Sequence, residues 1–200
     1  MMAPVLYGLV LAGGKSLRMG VDKGRLSYHG KPQREHLYDL LLPLCERVFI
    51  SCNAAQQRDI LLPKIGDEFP EAGPMGGLLS AFNTAPGKAW LAVACDMPYL
   101  SQGTLQYLVE HRNPAKMATA FIGPEDGWPE PMVAVWEPEM HPVLLREMQT
   151  GKGSLRDVLK DAATALVQPP RLHELQNINA PDAYEIAAAR IKLQARRNPH

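Results

Sequence analysis

Runs of apolar residues that stop abruptly at glycine, asparagine or aspartate recur along the chain, with helically spaced apolar positions between them. Val5 to Leu11 is a continuous apolar run ending in Ala-Gly-Gly, as expected of a central parallel strand covered on both faces. Arg47 to Cys52, Ala89 to Cys95, Met117 to Ile122, Met132 to Trp136 and Ala165 to Gln168 read as further strands. Prolines flank Met132 to Trp136 and suit an edge position. Leu26 to Tyr28 is a short extended piece before a His29-Gly30 turn.

Helical spacing places Leu37, Leu40, Leu41 and Leu44 on one face between Gln33 and Leu44, ending near Pro43. Helices are also expected over Ala54 to Leu62, from Gly76 to Asn83, from a Ser101 cap to His111, over Pro138 to Met148, Ser154 to Lys160 and Ala183 to Gln194. Pro63 to Met75 reads as an ordered surface loop because it is punctuated by proline and glycine. Strands alternating with helices imply an α/β fold with a mostly parallel central sheet, and the absence of a linker or repeat implies one domain over residues 1–200. Such sheets bind ligands at the carboxyl ends of their strands.

Composition narrows the partners. Lysine and arginine balance aspartate and glutamate at 21 each, so no global field points to nucleic acid or an anionic membrane. Any polyanion must be held locally. The first apolar stretch lacks a basic leader and is too short to span a bilayer, and no later stretch approaches membrane-spanning length, so a cytoplasmic location is expected. Cys45, Cys52 and Cys95 lie in or beside apolar runs without metal or CxxC spacing and read as buried, reduced thiols. The histidines form no pair at metal-ligand spacing, and Trp90, Trp128 and Trp136 suit core or rim positions.

The chemistry concentrates at strand ends. Leu11-Ala12-Gly13-Gly14 follows the first strand, where missing side chains let backbone N–H groups approach phosphate oxygens. Lys15, Arg18 and Lys23 add three cations to the same loop, enough to hold a triphosphate. The spacing matches neither a P-loop nor a dinucleotide fingerprint. Asp96 ends the Ala89 to Cys95 run, and Pro98 turns the chain immediately; it suits a metal ligand at the sheet edge, or a cap of the following turn. Asn53 ends the second strand as a turn residue or a ligand contact. Asp67 precedes the loop Glu71 to Gly77, where Gly73, Gly76 and Gly77 open a helix whose N–H groups can face an anion. Asn177 and Asn179 precede the last helix, with Pro181 suited to its first turn.

The string LAGGxSxRMGxDK, followed by YHGKPxxEH, resembles the opening of nucleotidyltransferases of the molybdenum cofactor guanylyltransferase type. CDMP around Asp96 is similar to that family's CDxP segment, Asp67 with GPMGG to its D…GPLxG segment, and Asn177 to Asp182 to its NxNTPED stretch, with Ala180 in place of threonine. The resemblance implies a Rossmann-like three-layer α/β domain that attaches GMP from GTP to molybdopterin with Mg²⁺. By it, Leu11, Ala12, Gly13, Gly14, Lys23, Asn53, Asp67 and Asp96 are nucleotide contacts, Asp96 the Mg²⁺ ligand, and Arg18, Lys23 and Asp96 the catalytic groups. Gly76, Gly77, Asn177 and Asn179 fall to the pterin side, supplied in part by the C-terminal half.

Transient contact with molybdoenzymes or other cofactor-biosynthesis proteins is implied in the same way. A CTP-using relative on the same pterin is the nearest alternative, but it usually carries LAAG and DQP where this chain has LAGG and CDMP. A non-catalytic nucleotide-binding adaptor is disfavoured by the joint presence of Lys23, Asp67 and Asp96.

Overall fold

A computed structural model describes residues 3–13, 22–124, 126–151 and 154–197. One seven-stranded sheet runs through it in the order β3-β2-β1-β4-β6-β5-β7. The strands are β1 (Leu6–Leu11), β2 (Arg47–Cys52), β3 (Lys64–Gly66), β4 (Ala89–Ala94), β5 (Ala118–Ile122), β6 (Pro129–Trp136) and β7 (Thr164–Val167). Every pairing is parallel except the two made by β6, which runs against both β4 and β5. The mostly parallel α/β sheet read from the apolar runs is therefore the observed one.

The described residues form the helices α1 (Gln33–Leu41), α2 (Pro74–Thr84), α3 (Gln102–Glu110), α4 (His141–Thr150), α5 (Leu155–Asp161) and α6 (Pro181–Arg197), of which α1 to α5 cover the two faces. On one face Leu37 and Leu41 of α1 and Leu105 and Leu108 of α3 pack on Val10, Ile50, Leu91, Val93 and Val135. On the other, Leu78, Leu79 and Phe82 of α2 and Leu155, Val158 and Leu159 of α5 pack on Leu9, Trp90, Ala92 and Trp136. Alternate residues of β1 and β4 thus face opposite layers, which is why their sequences read as unbroken apolar runs. Trp90 and Trp136 are fully buried cross-strand partners, while Trp128 lies at the rim, half exposed beneath Lys160. Helix α6 closes a third, small core with Ala187 and Ile191 on Tyr28 and Ile178.

Three expectations change. Residues 63–75 contain a strand, since Lys64–Gly66 pairs with β2 and extends the sheet. Ala54 to Leu62 supplies only a single 3₁₀ turn, Gln57–Asp59. Strand β6 is interior and buried rather than an edge. Its prolines are tolerated because Pro129 and Pro131 precede the β4 ladder, which begins at Val133, and lie where the β5 register shifts.

Candidate functional site

The strand order reverses between β1 and β4, the position where α/β sheets open a crevice at their carboxyl edge. Leu11 to Gly13, Asn53, Asp67 and Asp96 follow the carboxyl ends of β1, β2, β3 and β4 respectively. The β1 exit is tied to its neighbours on both sides. The Ala12 and Gly13 amides donate to Ser51 O at 3.1 and 3.0 Å, and Cys95 N donates to Leu11 O at 3.4 Å. Gly14, Lys15 and Arg18 lie outside the described residues.

Lys23 opens a 3₁₀ turn, Lys23–Arg25, whose N-cap is Asp22. The Asp22 Oδ1 accepts from Gly24 N at 2.9 Å. Its Oδ2 accepts from Gln56 Nε2 at 2.9 Å and lies 3.5 Å from Nη1 of the buried Arg34. Gln56 also donates to Ala12 O at 3.0 Å and exchanges hydrogen bonds with Asn53 in both directions. Asn53 thus acts here as the turn residue that seats Gln56. Neither Arg34 nor Gln56 carries a local signal of this role, because their contacts are made across 12 and 44 positions of sequence.

This clamp delivers Lys23 to the end of β4. Its Nζ donates to Asn179 Oδ1 at 2.6 Å and lies 3.8 Å from Asp96 Oδ2. The adjacent Ile178 N donates to Asp96 O at 2.7 Å, so the segment before α6 is stitched to the turn after β4. Lys23, Asp96 and Asn179 are therefore neighbours, although 156 positions separate the first from the last. Asn177 lies two residues earlier and lines a cavity of about 450 Å³ alongside.

Burial raises the Asp96 carboxyl above its ordinary value, and the Lys23 ammonium opposes the rise. The Oδ1 atom is buried and accepts no hydrogen bond among the described residues. An orphaned carboxylate oxygen costs stability unless a ligand completes it. Among the described residues no three His, Cys, Asp or Glu side chains form a metal-ligating group. Mg²⁺ usually takes only one or two protein carboxylates and fills its shell with water and phosphate oxygens, so one unsatisfied carboxylate at this edge fits it.

Asp67 and the glycines have packing duties. The Asp67 N donates to Cys52 O, and its Oδ1 accepts from Phe69 N, each at 2.9 Å. Gly73, at φ 57°, turns the chain into α2, with Pro74 at its first position. A Cβ on Gly76 would sit 2.3 Å from Phe69 O, and one on Gly77 2.6 Å from Ser51 Oγ and 3.0 Å from Leu11 Cδ2. Both glycines let the first turn of α2 approach the loop and the ends of β1 and β2.

A second acidic side chain reaches this edge because β6 runs backwards. Glu130, at its start, is 2% exposed, and burial pushes its carboxyl up; the Met132 N–H and the Arg156 guanidinium oppose the rise, and the charges of Asp96 and Asp126 add to it. Nothing in the sequence around Glu130 distinguishes it from a surface residue of a proline-flanked edge strand. Only the interior position of β6 reveals it.

Fold and site define an α/β protein with a cation–carboxylate pair at the switch point of its sheet. The chain belongs to the family of MobA-like NTP transferase domains, whose model matches residues 8–168. It is 31% identical to a molybdenum cofactor guanylyltransferase of Pseudomonas entomophila, over 90% of this chain and 96% of that one. It is 35% identical to a molybdenum cofactor biosynthesis bifunctional protein of Synechocystis over 90% of its own length, and spans 52% of that larger relative. Among solved structures, a molybdopterin-guanine dinucleotide biosynthesis protein A from Archaeoglobus fulgidus superposes with a TM-score of 0.77 at 21% identity, covering 94% of this chain and 99% of that one. That likeness establishes the shared fold.

Proposed function

We infer that this nucleotidyltransferase moves GMP from GTP to molybdenum-bound molybdopterin, giving the guanine dinucleotide cofactor and pyrophosphate. The observation that carries this reading is the meeting of Lys23, Asp96 and Asn179, from three distant segments, at the carboxyl edge between β1 and β4. The names of the relatives support the substrate pair. With no helix among the described residues long and apolar enough to cross a membrane, a cytoplasmic site of action agrees with small-molecule substrates.

The reaction is an in-line displacement in which the terminal phosphate of molybdopterin attacks the α-phosphorus of GTP. A phosphate nucleophile is already ionised at neutral pH, so the chain need not remove a proton. Catalysis then consists of positioning two polyanions and offsetting charge that develops on the leaving oxygens. Asp96 would hold Mg²⁺, which supplies that charge neutralisation on the phosphate oxygens. The Ala12–Gly13 turn, pinned to β2 by its two amides, borders the nucleotide, and Leu11 and Gly14 flank it in sequence. Lys23 and Arg18 hold the pyrophosphate end, with Lys23 aimed by the Asp22–Gln56–Arg34 clamp. Asn53 and Asp67 shape the floor beneath the nucleoside, and Asn177, Asn179, Gly76 and Gly77 border the acceptor side. The finished cofactor passes to molybdoenzymes or their assembly partners by transient contact.

The test is magnesium-dependent pyrophosphate release from GTP or CTP, each with molybdopterin, using the full chain. Release with GTP and little with CTP is expected. Preferential turnover of CTP would overturn the choice of base, and no release with either would favour the adaptor reading.

A further inference from the structure

The antiparallel run of β6 brings Glu130 to the same sheet edge at which the parallel strands deliver Leu11, Asn53 and Asp96. Its Oε1 accepts from Met132 N at 2.9 Å, and its Oε2 lies 3.5 Å from Arg156 Nη2. Arg156 does not depend on Glu130 for a partner, since its Nη1 donates to Asp126 Oδ2 at 2.9 Å. An ionised carboxylate offers about four acceptor positions, so Glu130 keeps capacity after these two contacts. A buried acid of this kind costs stability and is a functional-site candidate when it lines a cleft.

Glu130 does line one. The cavity of about 450 Å³ is bordered by Glu130, Arg156, Asp126, Gln176 and Asn177. That volume suits a small organic ligand. The cavity joins the transfer site through one short strand of chain: Asn177 borders it, Ile178 N donates to Asp96 O, and Asn179 accepts from Lys23. An acceptor with its phosphate near Asp96 and Asn179 would extend along Asn177 and carry its far end into this space.

We propose that Glu130, beside Arg156, is the specificity-determining residue for the acceptor, accepting the N–H donors of a 2-amino-4-oxopyrimidine edge while Arg156 faces the acceptor atoms of the same ring. This rests on the molybdopterin reading above, because molybdopterin has that edge at the end remote from its phosphate. Guanine presents the same edge, so the test must separate the two. Buried polar groups discriminate strongly between ligands that do and do not complete their hydrogen bonds.

The experiment measures binding of pterin (2-amino-4-oxopteridine) and of lumazine, in which the 2-amino group is an oxo group, by ligand fluorescence with the full chain. GTP with Mg²⁺ is titrated in parallel, and all three ligands are repeated with Glu130→Gln. Wild-type protein is expected to bind pterin about tenfold or more tightly than lumazine. In Glu130→Gln that preference disappears while GTP affinity is unchanged. Equal affinity of wild type for the two pteridines, or no binding of pterin, overturns the proposal without needing the variant to fold. Loss of GTP affinity in Glu130→Gln with pterin unaffected overturns it in favour of guanine recognition. Failure of the guanylyltransferase reading would instead show as absent pyrophosphate release, which these binding arms do not measure.

Discussion

Asp96 is buried enough for its carboxyl to rise above its usual value, yet one of its oxygens has no partner among the described residues. For the fold alone that arrangement is a cost. It becomes useful when a cation and phosphate oxygens occupy the edge. Asp96→Ala is therefore expected to lower turnover about 10²-fold or more while leaving the thermal midpoint unchanged or higher. Lys23→Ala should lower turnover to a similar degree, since Lys23 is the cation beside Asp96. Pyrophosphate release and thermal melting of the same preparations check both; near-normal activity in either would remove that residue from the site. Lys23 and Asp96 were legible in the sequence because each closes a recognisable strand-end segment. Arg34, Gln56 and Glu130 were not, because a lone polar residue acquires meaning only from partners that the fold brings from elsewhere.

At the scale of elements, the sheet edge is set by how closely α2 approaches it. Alanine for glycine inside a helix usually adds stability, but a Cβ on Gly76 would meet the backbone oxygen of Phe69 at 2.3 Å. Gly76→Ala should cost about 1–3 kcal/mol through overpacking. Gly103→Ala in α3 is the control, because the nearest atom to its added Cβ is Ser101 Oγ at 3.9 Å. It should be neutral or stabilise by about 0.5 kcal/mol. Urea unfolding of the two variants measures the contrast, and equal effects would exclude steric contact as the reason for glycine at position 76.

The junction of α3 with β6 rests on charge instead. Arg112 Nε and Nη2 each donate at 2.7 Å to the fully buried Glu137 carboxylate. Arg112→Met should destabilise by about 3–5 kcal/mol, and adding Glu137→Leu should recover much of the loss, as the stranded charge is then gone. A double variant no more stable than Arg112→Met would disprove that account. The long apolar strands and the Ser101- and Ser154-capped helices were legible from periodicity and caps. The three-residue β3 was hidden because it is too short for a pattern among prolines and glycines. The interior place of β6 was hidden because its prolines fall outside the β4 ladder.

For the molecule as a whole, acid should loosen the structure near the site before it discharges the carboxylates elsewhere. His29 and His36 stack with ring centroids 3.6 Å apart, and His29 Nε2 donates to Pro98 O at 2.9 Å, two residues after Asp96. The pair thus joins the segment after the Lys23 turn, helix α1 and the turn leaving β4. Burial holds the His36 imidazole down at about 4, with the His29 and Lys31 charges adding and Asp39 opposing. His29 is also lowered, chiefly by burial, against the carbonyl of Pro98. Below the unfolded value of about 6.5 the unfolded chain binds protons that these neutral rings refuse, so stability falls as pH drops from about 6.5 toward 4. Asp96 and Glu130 act in the opposite sense, because their raised carboxyls take up protons in the fold before they would in the unfolded chain. Their contribution grows at the acid end of that window and softens the decline. Urea midpoints measured across this window should therefore slope downward in wild type. In His36→Asn the slope should be shallower by up to ~1.4 kcal/mol per pH unit, the linkage of one proton. That difference is independent of the general cost of losing the stacked ring, which shifts the whole curve without tilting it. Parallel curves for the two proteins would mean that His36 titrates alike in folded and unfolded chains, and the stacked pair would then be packing alone.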